Sequence, residues 1–372
     1  MSRPCVLFHA AVGVTLDLFV APVSAALAEH GVRRIAVAGR GSVPPGLAAH
    51  FDDLAEVTPF RRGSPRSLAR ATGELHRIVT AVRPGLLHLH SPYAIALGRL
   101  VARATGTPHL AVVHGTLFGR RGPAGLLFGA IESATAWLTP RYVTVNPDDA
   151  ASYRRLAPRA EVAVAPCGGA GLDVEKLRRD ATGSRRLPGR APRILALCRL
   201  TPDKNLDLTV AAWRLLRAGM PDLELRIVGS AMPGEPAWQP PDEPGVTTAA
   251  WTGAPGRELA AADVLLSTSP REGFSLNLAE ALVLGTPVVA VANRGSRAVA
   301  GQAGAGITLV PGDPVAVAAA LATCLRSAAR PAVPAAARAW ARAGVVDFHV
   351  ARILDALRPA PAPVAGPVAA AG

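Results

Sequence analysis

The chain has 372 residues, a formal charge of +13 from 40 lysines and arginines against 27 acidic residues, and 50% hydrophobic residues. That apolar content excludes an unstructured chain. The four scattered cysteines, with no Cys-x-x-Cys pair, argue against a disulfide framework or a zinc ribbon and suit a reducing compartment. Length predicts about two domains of roughly 150 residues each.

The first 29 residues carry a basic start and an apolar stretch, as a signal peptide does, but His9 and Asp17 interrupt the run. Residues 5–8 read better as a buried strand, followed by a loop and a helix up to Glu29 in which Pro22 must sit in a first turn or at a kink. Further strands are predicted at 35–38, 86–89, 110–113, 142–145 and 162–165. Helices are predicted at 67–82, 94–104, 125–138 and 148–156. The pattern breaks over the polar stretch 180–192 and restarts with strands at 193–197, 223–228, 263–266 and 287–291 and helices at 206–218 and 276–284. Strands alternating with helices predict an α/β protein of two doubly wound, Rossmann-like domains facing across a cleft. The expected boundaries are 1–183 for an acceptor-binding domain, 184–192 for a linker and 193–344 for a donor-binding domain. A helix at 345–358 is expected to pack back on the first domain, before a disordered tail at 359–372. No run of 18 uncharged apolar residues predicts a transmembrane helix.

The strongest constellation is Arg271-Glu272-Gly273-Phe274-Ser275-Leu276-Asn277-Leu278-Ala279-Glu280. A strand ends before it and a helix begins near Ser275. Gly273 lets backbone approach a ligand, and the first-turn N–H groups form a site for a phosphate. Glu272 and Glu280, eight residues apart, suit hydroxyl recognition on a sugar or ribose. An ordinary helix with an N-cap serine and two solvated glutamates is the competing reading. Arg199 and Lys204 lie in the strand-to-helix loop after 193–197, at the same sheet edge. Arginine clamps phosphate bidentately, and lysine acts as a movable point charge. Only two of the 40 cations are lysines, Lys176 and Lys204. A lysine in this loop therefore suggests a place where guanidinium is too large, whereas Lys176 reads as incidental.

Leu197-Cys198-Arg199, Lys204-Asn205, Glu272-Gly273-Phe274-Ser275, Glu280-Ala281-Leu282 and Gly285-Thr286-Pro287 together resemble retaining glycosyltransferases of family 4, of the GT-B fold. The first half adds Pro84-Gly85, His88-Leu89-His90-Ser91-Pro92, Val113-His114-Gly115 and Ile131-Glu132-Ser133, similar to bacterial surface-polysaccharide members. The resemblance implies that Arg199 and Lys204 hold a donor pyrophosphate, aided by backbone N–H groups near Gly273, Phe274, Ser275 and Leu276. It implies that Glu280 accepts from ribose hydroxyls and that Glu272 and His114 contact the sugar or reacting centre. Gly13 matches only part of the family's glycine-rich loop, and Cys167 stands where many members have Asn.

The implied activity is transfer of a hexose or N-acetylhexosamine from a nucleotide-diphosphate sugar, UDP favoured, to an acceptor hydroxyl with retention. No cofactor or metal is expected, since the acidic pairs Asp52-Asp53 and Asp148-Asp149 read as isolated and superficial. The expected partners are the nucleotide sugar and a glycan-lipid or small-molecule acceptor. The alternative is a GT-B relative without transfer activity, a sugar-nucleotide epimerase or sugar-binding module. Nucleic acid is not expected, because the 16 aromatic residues are not interleaved with basic clusters. Arg66, Arg70 and Arg77 share a helical stripe that reads as a solvated basic face or as a peripheral contact with anionic membrane. Arg61-Arg62 and Arg120-Arg121 are similarly ambiguous. His88 and His90 alternate along a strand and read as structural or cleft-lining rather than as a metal pair. The expected location is cytoplasmic, with peripheral association at the inner face of the membrane.

Overall fold

The computed structural model describes residues 3–60, 64–115, 123–184, 189–231, 237–327 and 330–358. Arg61-Arg62, Arg120-Arg121 and the tail 359–372 lie outside the described residues. In chain order the elements begin with β1 (Cys5–Ala10), α1 (Gly13–Phe19), α2 (Ala21–Glu29), β2 (Arg33–Gly39), β3 (Asp53–Val57) and α3 (Pro65–Val82). There follow β4 (Leu86–His90), α4 (Pro92–Thr105), β5 (His109–Val113), α5 (Pro123–Thr135), β6 (Arg141–Thr144), α6 (Pro147–Leu156), β7 (Glu161–Val164) and α7 (Val174–Ala181). The second series is β8 (Arg193–Leu197), α8 (Leu206–Arg217), β9 (Glu224–Val228), β10 (Val246–Ala249), α9 (Pro255–Ala261), β11 (Val264–Ser267) and α10 (Leu276–Val283). It ends with β12 (Val288–Val291), α11 (Arg294–Ala303), β13 (Ile307–Val310), α12 (Pro314–Arg326) and α13 (Arg342–Leu357).

Two sheets result, with orders β3-β2-β1-β4-β5-β6-β7 and β10-β9-β8-β11-β12-β13. Strand pairs such as β1 with β2 and β8 with β11 run parallel, so each sheet is a Rossmann-like layer with crossover helices. The strands that sequence reading passed over, β3, β10 and β13, are all sheet edges. β10 and β13 are only partly buried, so they lack the continuous apolar run that marks a central parallel strand. The helix expected before Glu29 is two helices. Pro22 lies in the first turn of α2, where its missing N–H costs nothing.

The chain divides into two compact units, residues 1–111 with 348–372, and residues 112–347. In the first unit His88 and His90 are buried, with His88 Nδ1 2.7 Å from His90 Nε2, so the two rings share a hydrogen bond. Arg66, Arg70 and Arg77 are exposed on α3, and Arg70 is tied to Glu74 at 3.1 Å. Asp52 and Asp53 are not isolated. Asp52 pairs with Arg34 at 2.9 Å and Asp53 with Arg33 at 2.5 Å, and the Arg34 hydrogen bond holds the Asp52 carboxyl down to about 2. Leu357 of α13 lies against Gly85, where an added Cβ would come within 3.0 Å of it.

In the second unit the six-stranded sheet is apolar on both faces. Leu195, Leu197, Leu265 and Val288 pack on one side with α10 and Trp340. Ile194, Ala196, Val264, Leu266 and Val289 pack on the other with Trp213 of α8 and Leu321 of α12. This alternation, two residues per repeat, seats α10 and α8 on opposite faces. Their preceding loops thereby meet at the carboxyl edge of the sheet. Trp213 donates its Nε1–H to Leu223 O at 3.1 Å, so the indole is buried without an orphaned donor. Among the described residues no helix is long and apolar enough to cross a membrane.

Candidate active site

The loop after β8 turns sharply into α8. Asn205 adopts a left-handed conformation, φ 52°, which asparagine tolerates better than most residues. The Thr268 hydroxyl, at the end of β11, lies 3.0 Å from Lys204 O and 2.9 Å from Asn205 O, pinning the turn to the neighbouring strand. Within the loop, Asp203 receives hydrogen bonds from Thr201 Oγ1 at 2.5 Å and Arg199 Nη2 at 3.1 Å. Burial pushes the Asp203 carboxyl up, but the Thr201 hydroxyl and the Lys204 and Arg199 charges outweigh it and hold the group below its usual range. Lys204 Nζ lies 2.7 Å from Glu272 Oε1 and 3.6 Å from Asp203 Oδ2, with its side chain only 11% exposed.

Glu272 stands in the loop between β11 and α10, and three backbone contacts hold it. Its carbonyl accepts from Gly295 N–H at 3.1 Å. The next carbonyl, of Gly273, accepts from Asn146 Nδ2 at 2.8 Å. Gly273 itself lies against the loop after β5, where a Cβ would fall 1.9 Å from His114 O, which explains glycine without any need for an unusual φ. Ser275 precedes α10 in the N-cap position, but its side chain makes no capping bond, and its buried hydroxyl has no partner. The helix therefore starts without a side-chain cap from Ser275, an arrangement that favours an anion. The ordinary N-cap reading of Ser275 does not hold.

These loops enclose a cavity of about 480 Å³, a size suited to a small-molecule ligand. Five cations, Arg199, Lys204, Arg271, Arg294 and Arg297, line it against three carboxylates, Asp149, Asp203 and Glu272. Gly115 and Gly273 also line it. Of the residues singled out from sequence, Arg199, Lys204, Glu272 and Gly273 meet here. His114 contributes its backbone at the Gly273 contact. Phe274 packs on Gly168, while Ser275 and Leu276 form the start of α10. Gly13 belongs to the other unit, where its N–H donates to Ser42 Oγ at 2.9 Å.

Glu280 lies on α10 beyond this cavity lining. Burial pushes its carboxyl up to about 7, against the pull of Lys176 and Arg342. Lys176 is therefore not incidental. It faces Glu280 electrostatically and also donates to Asp180 at 2.6 Å and to Gly253 O at 2.5 Å. Cys167 occupies a buried left-handed position, φ 44°, a conformation that asparagine adopts more readily than cysteine.

Sequence reading passed over Arg294, Arg297 and Asn146, and it took Asp148-Asp149 for a superficial pair. Asp149 is in fact 1% exposed. It accepts from Arg294 Nη1 at 2.6 Å and from Asn146 Nδ2 at 2.8 Å. Asp148 pairs with Arg297 at 2.9 Å. Asn146 thus links the buried carboxylate to the Gly273 carbonyl. Its local signal was Asn-Pro-Asp-Asp, a helix start in which Asn146 Oδ1 caps the Asp149 N–H. The signal for Arg294 was the capping box of Asn293 and Ser296 that opens α11.

Comparison with known proteins agrees with this architecture. Residues 19–168 match the family described as Glycosyltransferase Family 4, and residues 191–327 match Glycosyl transferases group 1. The chain is 26% identical to EpsD of Bacillus subtilis (strain 168), itself assigned as a glycosyltransferase, over 70% of this chain and 72% of that protein. Among solved structures, HepE of Anabaena in complex with UDP and glucose matches with TM-score 0.72 and 16% identity, over 95% of this chain and 100% of that one. Sucrose-phosphate synthase from Thermosynechococcus elongatus matches with TM-score 0.74 and 18% identity, over 96% and 100%. The structural likenesses carry the GT-B fold. The two family matches, in order along the chain, carry the rest: it belongs to the glycosyltransferases built from a family-4 amino-terminal region and a group-1 carboxy-terminal region.

Proposed function

We propose that the chain transfers a hexose or N-acetylhexosamine from a UDP-sugar to an acceptor hydroxyl, with retention and without a metal ion or cofactor. The observation that carries this is the Lys204–Glu272 pair at 2.7 Å in a cation-rich cavity beside the uncapped start of α10. In support, the Anabaena protein of the same fold has been solved with UDP-glucose.

The chemistry follows from charge. The bond from the sugar's anomeric carbon to the diphosphate oxygen breaks, and a bond to the acceptor oxygen forms. Negative charge grows on the leaving diphosphate. Arg199 and Lys204, held by Asp203 and Glu272, face that charge already oriented, so little reorganisation is needed when it appears. Acceptor attack on the same face as departure retains configuration, with the acceptor proton passing to the leaving phosphate. Glu272, which accepts from Lys204 through one carboxylate oxygen, contacts the sugar on this reading, with the neighbouring His114 loop. Glu280 is assigned to the ribose hydroxyls and Gly13 to the glycine-rich loop. The acceptor is a glycan-lipid or small molecule, and the protein works in the cytoplasm, peripherally at the inner face of the membrane.

The test is a thermal-shift screen with UDP-, GDP-, dTDP- and ADP-sugars, followed by assay of UDP release with and without acceptor. A donor that binds only the folded chain raises its melting temperature. Stabilisation by UDP-sugars with acceptor-dependent release supports transfer. Binding without turnover of any donor would identify a sugar-binding module, and interconversion of the donor would identify an epimerase.

A further inference from the structure

Helix α11 follows β12 at the carboxyl edge of the six-stranded sheet, and its first residue is Arg294. The backbone there is fixed on three sides. Asn293 and Ser296 cap each other's N–H groups. Asn293 Nδ2 donates to Ser269 O at 2.8 Å, and the Gly295 N–H donates to Glu272 O at 3.1 Å. A Cβ added to Gly295 would fall 2.7 Å from the Glu272 Cβ, so α11 starts hard against the Glu272 loop. Its first turn is capped by its own side chains. What it brings to the cavity wall is Arg294, whose guanidinium reaches Asp149, another residue of that wall.

The two partners are placed unequally. Asp149, from the first turn of α6, has a side chain 1% exposed, and it accepts from Arg294 Nη1 at 2.6 Å and from Asn146 Nδ2 at 2.8 Å. The Arg294 side chain remains 35% exposed. A buried pair that only joins two elements hides both charges from water, whereas here only the carboxylate is hidden. Asp149 grips one end of the guanidinium, and the rigid planar fork then sets the direction of the rest. A cation oriented in advance needs little reorganisation when it meets an anion. The electrostatics require it as well. Asp149 lines the same cavity, and without the arginine its charge would repel a diphosphate.

We infer that Arg294 is a further donor-binding residue, contacting the diphosphate of the nucleotide sugar together with Arg199 and Lys204, and that Asp149 is its positioning residue. This rests on the transfer reading. It adds a contact from a third loop, the one after β12, to those from the loops after β8 and β11. The readouts are UDP and uridine affinities by calorimetry, UDP release and thermal melting. Uridine lacks the phosphates, so a residue that only supports the fold moves both affinities together. Arg294→Met combined with Asp149→Leu removes the pair whole and leaves no buried charge unpaired. Expected for the double variant are a loss of about ten-fold or more in UDP affinity, uridine affinity within about two-fold, and a kcat lower by about 10². Arg294→Gln, which can still donate to Asp149, gives the same pattern if the double variant does not fold. Asp149→Asn makes the cavity more positive but loosens the guanidinium. Its kcat should fall about ten-fold although UDP binds no more weakly. Arg257→Ala removes an equal charge from an exposed position on α9 and leaves both affinities as in the parent.

UDP affinity within about three-fold of the parent in the folded double variant or in Arg294→Gln overturns the inference. So do equal losses for UDP and uridine, or a matching loss in Arg257→Ala, which would make the effect one of net charge. Parental kcat in Asp149→Asn overturns the positioning role. A parent that binds no nucleotide diphosphate overturns the transfer reading and this inference with it. UDP binding that depends on Lys204 and not on Arg294 overturns this inference alone.

Discussion

Replacing Lys204 with alanine separates the chemistry of the site from its stability. Lys204 Nζ is 2.7 Å from Glu272 and 3.6 Å from Asp203, and neither carboxylate is deeply buried, with side-chain exposures of 22% and 53%. Water can replace part of what the ammonium provides. The expected cost to folding therefore lies between that of a surface pair and a broken buried pair, about 1–2 kcal/mol. That corresponds to a fall of a few degrees in melting temperature. The cost to turnover is larger. On the proposed function a fixed charge facing the leaving diphosphate is removed, and loss of one such stabilising group costs about 10²–10³ in kcat. Lys204→Arg is the sharper probe. The chain uses arginine at 38 cationic positions and lysine at two. The ammonium at 204 is 11% exposed between two loops, so a planar guanidinium must displace Glu272 or the Asp203 turn. A loss of about ten-fold or more is expected for the arginine variant, with its melting temperature near that of the parent. The assays are UDP release from the stabilising donor, UDP affinity by calorimetry and thermal melting. Lys204→Ala turning over within about three-fold of the parent would refute the assignment of this residue to the departing diphosphate.

Other consequences are equally specific. Asp149→Ala leaves Arg294 and Asn146 without their shared carboxylate; because Asp149 is 1% exposed, a destabilisation of about 3 kcal/mol is expected by denaturant titration, with Asp149→Asn costing less. An unchanged midpoint would show the network to be dispensable. Glu280 is raised by burial to about 7, above its unfolded value. Its contribution to stability is thus fully present below the ordinary carboxylate range and is lost as pH rises through 7. Glu280→Gln should flatten the parent's decline in melting temperature between pH 5 and pH 8. If the ionised form accepts from ribose hydroxyls, parent affinity for UDP should weaken below pH 7 more steeply than that of Glu280→Gln. Parallel pH profiles would remove Glu280 from the site. EDTA should leave turnover within about two-fold, and a strict requirement for Mg²⁺ would count against charge stabilisation by Arg199 and Lys204 alone.

Much of the arrangement was legible in the chain because it is written locally. Central parallel strands are buried on both faces and appear as short apolar runs, so β1, β4, β8 and β12 stood out. The edge strands β3, β10 and β13 did not, since a half-exposed strand carries no such run. Lys204 stood out against an arginine background. Gly273 was read as a place where backbone approaches a ligand, and the structure shows a close approach to the His114 carbonyl instead.

Tertiary structure decided what sequence spacing cannot encode. Asp149 and Arg294 are 145 residues apart in the chain and 2.6 Å apart in space. An Asp-Asp pair looks the same in sequence whether it faces water or is buried against an arginine. The outward face of α5 is a similar case. Its apolar residues imply burial when read alone, and only the packed structure shows that Glu132 took the inner position and left leucines and a tryptophan outside. Charge told the same story at the scale of the chain. The excess of +13 named no partner, and sequence could isolate Lys204 as its informative member. Pairing, burial and the meeting of loops at one sheet edge depend on long-range packing, which determines which of 40 cations line the cavity and which hold the fold.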